Sequence, residues 1–415
     1  MMKILIVSLS FLFFIVVHGD VLSKTDNFKH DHFLKGVKEL EDSNSNWTVE
    51  YLAESYGYTI ETHTVTTSDG YILTLHRIPS GRATEKKNGR VAFLQHGILC
   101  SSADWIVMGP ENSLALMLAD DGYDVWMGNA RGNTWSKKHV SLDTNDPKYW
   151  QFSWHQIGDI DLPTMIDYVL EQTGVSQVYY VGHSQGTTVY YVMLSMHPEY
   201  NSKIKIGASL APIGFMNHMT GPLLRVIALF TNELDILGSL IGVNEFVPTS
   251  DFFKYIVGDA ICSKNSITQL LCENVLFALC GFDYDQMNVT LLPTILKYLP
   301  AGCSTKQAVH YGQEINSGYF RQYDYGLISN IEHYNSLSPP SYDLSNIVTP
   351  TYLFYSRNDW LSAEKDVTRL CEKMGSACKG KILNSNYNFN HLDYLYGIDT
   401  TRLINNKVIS LFARQ

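Results

Sequence analysis

At 415 residues the chain is long enough for one large domain with an insertion, or for two domains. With 45% hydrophobic and 17% charged residues it is globular rather than disordered. A net charge of −10 argues against nucleic acid or an anionic membrane surface as the main partner.

The chain starts with Met1-Met-Lys3, the apolar run Ile4 to Val17 and His18-Gly19-Asp20, the three parts of a signal peptide cleaved after Gly19. The run is short for a bilayer span and no later stretch is long and apolar enough, so no transmembrane anchor is expected. An exported chain suits the two acceptor sequons that begin at Asn46 and Asn288. It also suits seven cysteines, which imply bridges and a leftover thiol. Cys371 and Cys378 are near neighbours and are expected to pair. Cys262, Cys272 and Cys280 cluster, whereas Cys100 and Cys303 stand apart. No Cys/His group has zinc spacing, and His30-Asp-His32 lies in a polar segment that reads as solvated. No metal or cofactor is implied.

Residues 20–53 read as a polar N-terminal segment. Tyr58 to Thr67 and Tyr71 to Ile78, rich in β-branched and aromatic residues, flank Ser68-Asp-Gly70 and read as a hairpin. Val91 to Gln95 is a short apolar strand of the kind buried on both faces. A helix over Asn112 to Asp120 and a strand over Tyr123 to Met127 follow. Asp161 is placed to cap a helix with Pro163 in its first turn and Gly174 at its end. Strands alternating with helices predict a mostly parallel α/β sheet. The pattern breaks after Pro212. Residues 213–340 are mainly helical apolar stretches, a candidate insertion above the sheet between core segments 54–212 and 341–415. It returns with a strand over Ile347 to Tyr355, a helix over Glu364 to Met374, a strand over Lys381 to Leu383 and a last helix over Asn405 to Phe412.

The chemistry centres on Val178 to Thr188. Four strand-forming residues lead into Gly182-His183-Ser184-Gln185-Gly186, a Gly-x-Ser-x-Gly turn that opens a helix. Such a turn lifts Ser184 above the sheet as a nucleophile and places the Gln185 amide to bind an oxyanion. A serine needs a base and the base needs an orienting acid. In sheets of this class they follow in the order acid, then histidine. Asp359, past the strand ending at Tyr355, and His391, past the next strand, sit where that order wants them. His197, on the elbow helix, and His218, His310 and His333, in the insertion, are weaker candidates; Asp393 is too close to His391 and reads as a helix cap. The second oxyanion donor is expected from His96-Gly97-Ile98, with the Ile98 amide chosen.

With Gln95-His-Gly-Ile-Leu, the run from Gly122 to Ser136, Gly182 to Thr188, Asn358-Asp and His391-Leu-Asp-Tyr in view, the sequence resembles the acid lipases, the gastric and lysosomal lipases and their insect relatives, from about Glu54 to the C-terminus. The resemblance implies an α/β-hydrolase core, a helical cap with a lid, and hydrolysis of triacylglycerols or sterol esters at a lipid–water interface. It carries over Ser184, Asp359 and His391 as nucleophile, acid and base, with Ile98 and Gln185 at the oxyanion hole. It also implies a Cys262–Cys272 bridge. Gastric-type lipases usually have Leu where this chain has Ile98, a change that a backbone donor tolerates.

The expected function is therefore a secreted or lysosomal serine lipase. A carboxylesterase of small soluble esters and a non-catalytic lipid carrier are the rivals. The large apolar insertion argues against the first and the complete triad against the second. Within the insertion, Phe253, Ile256, Val257, Ala260 and Ile261 form one apolar helical stripe opposite Lys254, Asp259 and Ser263. It reads either as a mobile lid or as a helix packed permanently on the core.

Overall fold

The computed structural model describes residues 47–83, 89–229, 245–246, 285–288 and 290–415. The signal peptide, Asn46, Cys262, Cys272, Cys280 and the stripe at 253–261 lie outside the described residues.

Strands β1 (Glu61–Thr66) and β2 (Tyr71–Ile78) form the antiparallel hairpin read from the sequence, with Glu61 opposite Arg77. β3 (Val91–Gln95), β4 (Asp124–Gly128), the two-residue β5 (Lys138–His139), β6 (Val178–His183), β7 (Ile204–Leu210), β10 (Thr351–Tyr355) and β11 (Cys378–Leu383) complete one sheet. Its order is β1-β2-β4-β3-β6-β7-β10-β11, with β5 beside β2. From β4 to β11 every neighbouring pair is parallel. A parallel pair needs a crossover, and helices supply it on both faces.

β3 and β6 are buried along their whole length, and alternate side chains enter opposite cores. Leu94, Val125, Met127 and Val181 pack with Leu114 to Ala119, Val408 and Phe412 on one face. Phe93, Trp126 and Tyr180 pack with Met165, Ile166, Val169 and Val189 on the other. The edge strand β1 instead alternates between partly buried and exposed positions. The chain steps from β3 to β4 on one side and later to β6 on the other. Gln95 pairs with Gly182 across that reversal, so the loops leaving β3 and β6 emerge side by side at the carboxyl edge. This is the crevice where sheets of this class hold ligands.

Several boundaries differ from the sequence reading. The strand expected from Ile347 begins at Thr351, because a turn at Leu344–Asn346 and Pro350, which lacks an N–H, precede it. β11 begins at Cys378 rather than Lys381, and a helix over Val49–Ser55, capped by Thr48, went unread. The helix Leu162–Thr173 ends at Gly174 in the left-handed conformation, as its sequence requires. Asp161, however, makes no cap. A turn of π-helix over Ile157–Asp161 runs straight into the helix, and the buried Asp161 carboxylate turns to Arg131 instead. Within 213–340 the described residues form helices Pro222–Leu229, Leu292–Tyr298, Thr305–Ser317 and Leu327–Tyr334. They also form a two-stranded pair, β8 (Glu245–Phe246) with β9 (Cys303–Ser304).

Candidate active site

β6 ends at His183 and the helix Gln185–Met196 starts two residues later, so Ser184 alone makes the turn. It does so at φ 52° and ψ −117°, a conformation that a residue with a Cβ rarely adopts. The surroundings hold it there. The Ser184 amide donates to the Leu210 carbonyl at 3.0 Å, and the Thr187 amide returns to the Ser184 carbonyl at 2.8 Å. The elbow is also pressed against the end of β3: a Cβ on Gly186 would lie 2.1 Å from the Gln95 carbonyl oxygen, so only glycine fits.

Tertiary folding brings together three side chains that are 32 and 207 residues apart in pairs. His391 Nε2 lies 2.8 Å from Ser184 Oγ, and its Nδ1 lies 2.9 Å from both Asp359 carboxylate oxygens. Asp359, at the end of the loop after β10, is buried. A buried carboxylate needs donors, and its Oδ1 accepts from the Leu361 amide at 2.9 Å and the Ser362 amide at 2.8 Å. Nδ1 therefore donates to Asp359, and Nε2 is left with its lone pair on the serine hydroxyl. That tautomer is the one that can take the serine proton. Asp393 instead accepts the Asn390 amide at 2.5 Å, across the turn that holds His391, and is not the expected cap: it is the first residue of the helix Asp393–Tyr396, whose N-cap is Leu392.

The two amides chosen from the sequence flank Ser184. Gln185 is the first residue of the elbow helix, and Ile98 stands in a tight turn closed by the Cys100 amide on the Gly97 carbonyl at 3.3 Å. A Cβ on Gly97 would lie 3.1 Å from Ser184 Cβ, so this turn rests against Ser184. Neither the Ile98 nor the Gln185 N–H meets an acceptor among the described residues. The Gln185 side chain reaches sideways, donating to Gln307 on Thr305–Ser317 at 2.7 Å.

The competing histidines are engaged elsewhere. His197 pairs with Asp159 at 2.7 Å and His218 with Asp366 at 2.7 Å. His310 stacks on Trp154, and His333 on Tyr325. Two histidines that the sequence did not single out do border the site. His183 donates from Nε2 to the His391 carbonyl at 2.9 Å and so ties the elbow to the loop that carries His391. Burial, with the neighbouring His391 adding to it, pushes the His183 imidazole down to about 3. Burial likewise pushes His96 down to about 4. Both rings are neutral at physiological pH. The histidine inside the elbow was the visible signal for the first; only its partner, far along the chain, was hidden.

Among the other expected positions, Cys371 and Cys378 are joined by a disulfide, whereas Cys100 and Cys303 are buried thiols. Asn288 turns its side-chain oxygen toward the Thr290 and Leu291 amides, both at 3.2 Å.

Comparison with known proteins agrees with this architecture. Residues 49–109 match the family model described as a partial alpha/beta-hydrolase lipase region, and residues 93–234 match the alpha/beta hydrolase fold. The chain is similar to Lipase 3 of Drosophila melanogaster, 45% identical over 86% of this chain and 90% of the relative. It is also similar to gastric triacylglycerol lipase of Rattus norvegicus, 35% identical over 95% and 98%. Lysosomal acid lipase/cholesteryl ester hydrolase of Homo sapiens is 36% identical over 93% and 95%.

Proposed function

Because the chain belongs to the acid lipase family and is an ester hydrolase of the α/β-hydrolase fold, we propose that it is a secreted or lysosomal serine lipase acting on neutral lipid esters, triacylglycerols and sterol esters among them, at a lipid–water interface. The observation that carries the reading is the unbroken hydrogen-bonded line from Ser184 Oγ through His391 to Asp359. The substrate class is taken from what the relatives are named for, a triacylglycerol and a cholesteryl ester. The leader sequence and those relatives support the destination. No helix among the described residues is long and apolar enough to cross a membrane.

The chemistry follows from the donors and acceptors. As Ser184 Oγ attacks the ester carbonyl carbon, its proton passes to His391 Nε2, and the resulting imidazolium is held by the Asp359 carboxylate. The carbonyl oxygen becomes an oxyanion between the Ile98 and Gln185 amides. Those dipoles, fixed in a water-poor site, stabilise charge that exists only in the transition state. Collapse of the tetrahedral intermediate expels the alcohol, which takes the Nε2 proton, and leaves an acyl group on Ser184. Water then repeats the cycle, with His391 as base, and frees the fatty acid. Metal or cofactor has no part in these steps.

The deciding experiment is Ser184→Ala, assayed on a short soluble ester and on an emulsified long-chain triacylglycerol. Turnover is expected to fall by about 10⁶-fold on both while the thermal melt stays cooperative. Retention of a tenth of the wild-type rate would remove Ser184 as nucleophile. A wild-type rate confined to the soluble ester would make the protein a carboxylesterase, and no hydrolysis by the wild type would leave a lipid carrier.

A further inference from the structure

The run Gly128 to Ser136, Gly-Asn-Ala-Arg-Gly-Asn-Thr-Trp-Ser, stands out in the sequence, yet no residue in it enters the mechanism above. It forms the loop that leaves β4, next to the loop that leaves β3. We propose that Asn133 and Asn129 in this loop are positioning residues for the oxyanion hole, acting through His96 on the peptide that carries the Ile98 amide. The inference rests on the assignment of that amide as an oxyanion donor.

The argument starts at His96, buried at the end of β3. Its Nε2 lies 3.1 Å from the Ala130 backbone nitrogen and 3.2 Å from Asn133 Nδ2. An amide N–H only donates, so Nε2 accepts and the ring proton sits on Nδ1. Nδ1 is 2.7 Å from the Gly97 carbonyl oxygen, to which it donates. The ring thus converts two N–H donors from the β4 loop into one donor aimed at the β3 loop. Gly97 and Ile98 share a planar trans peptide, so the Gly97 carbonyl and the Ile98 N–H point in opposite directions. Holding the carbonyl against His96 therefore fixes the direction of the Ile98 N–H. The Cys100 amide, also on that carbonyl, leaves the peptide little room to rock.

The brace is itself braced. Asn133 Nδ2 donates to Asn129 Oδ1 at 2.9 Å, while Asn133 Oδ1 accepts the Trp135 amide at 3.0 Å and the Ser136 amide at 3.1 Å. Asn129 Oδ1 accepts the Ser102 amide at 3.0 Å, and Asn129 Nδ2 donates to the Thr74 carbonyl on β2 at 3.2 Å. Both side chains are buried. Each asparagine uses its oxygen and its nitrogen in opposite senses, which neither aspartate nor leucine reproduces. The network ends on the sheet, so the position of the oxyanion loop is set by rigid strands rather than by the loop alone.

The test is Asn133→Asp, which keeps the acceptor for the Trp135 and Ser136 amides but withdraws the N–H from His96. With active sites titrated by a phosphonate ester, kcat on a soluble ester is expected to fall roughly 10- to 100-fold, below the ~10²- to 10³-fold cost of deleting a donor outright. KM should stay within about twofold, since the ground-state ester makes little use of the hole. The affinity of an alkyl boronic acid, which becomes tetrahedral on the serine, should fall in parallel with kcat, and that of a long-chain alcohol should not. A role in stability alone would lower the melting temperature and leave kcat per titrated site and boronate affinity unchanged, which overturns the proposal. If Asn133→Asp does not fold, His96→Gln decides by the same readouts, with the same loss expected. Unfolding of both variants would make the network part of the fold rather than of the loop, and also overturns it. Failure of the underlying lipase reading looks different: the wild type itself would then neither hydrolyse esters nor bind the boronic acid.

Discussion

Replacing Asp359 by asparagine changes one oxygen to an NH₂ group and tests the site at its hinge. Asp359 Oδ1 accepts from the Leu361 and Ser362 amides, at 2.9 and 2.8 Å, as well as facing His391. In the variant that position must remain an oxygen, because two N–H groups point at it. The new NH₂ therefore takes the place of Oδ2, 2.9 Å from His391 Nδ1. The NH₂ repels the Nδ1–H, and Oδ1, already shared by two amides, is left as a neutral and weaker acceptor for it, so the imidazole moves its proton to Nε2. Nε2–H then points at Ser184 Oγ and can no longer take the serine proton. The shape of the site survives while its base is lost, and the expected cost is about 10⁴ in kcat, or ~5.4 kcal/mol of transition-state stabilisation at 1.36 kcal/mol per decade. Initial rates of fatty-acid release, by titration at constant pH, measure it, with thermal melts to confirm folding. Asp393→Asn should lose less than about tenfold, since Asp393 serves the Asn390 amide rather than the base. A severe Asp393→Asn with a mild Asp359→Asn would show that the wrong carboxylate has been assigned as the acid.

Two further outcomes concern groups outside the chemistry. Arg131, 1% exposed, holds the fully buried Asp161 at 2.6 to 2.7 Å and Asp69 at 2.6 Å. Arg131→Met leaves Asp161 without its counter-ion and should cost about 3–5 kcal/mol in urea unfolding, much of it recovered by adding Asp161→Leu; a loss under ~1 kcal/mol would sink the argument. Asp104, buried against the Tyr396 hydroxyl, is pushed by burial up to about 6. Its folded-state value lies above the ordinary 3.8, so the folded state takes up a proton as pH falls, and this group's stabilisation is complete below ~4 and lost as pH rises through 6. The stability of the wild type relative to Asp104→Asn should thus rise by about 2 kcal/mol between pH 7 and pH 4. A difference that does not change with pH would contradict it. The neutral histidines 96 and 183 act in the opposite sense, so the comparison with the variant, not the wild-type curve alone, isolates Asp104.

What the sequence determined by itself is what short-range chemistry determines. The elbow is legible because a turn that close to β3 excludes a Cβ at Gly186, and the hairpin because alternating β-branched residues flank Ser68-Asp-Gly70. The helix read over Glu364 to Met374 has those ends in the structure. Asp359 and His391 were picked by chain order, past successive strands, and folding lays both side chains in line with Ser184. Other facts are settled only by contacts between distant segments. Asp161 sits where a cap belongs, yet the helix runs through it and its carboxylate answers a buried guanidinium 30 residues away. Asn133 reads as a loop residue until the pairing of β3 with β4 lays it against His96, 37 residues away. Local propensity is decided within a few residues, by sterics and by where backbone groups find partners. The partner of a buried polar side chain is decided by which strands lie side by side, and strand order is a property of the whole sheet that no single segment encodes.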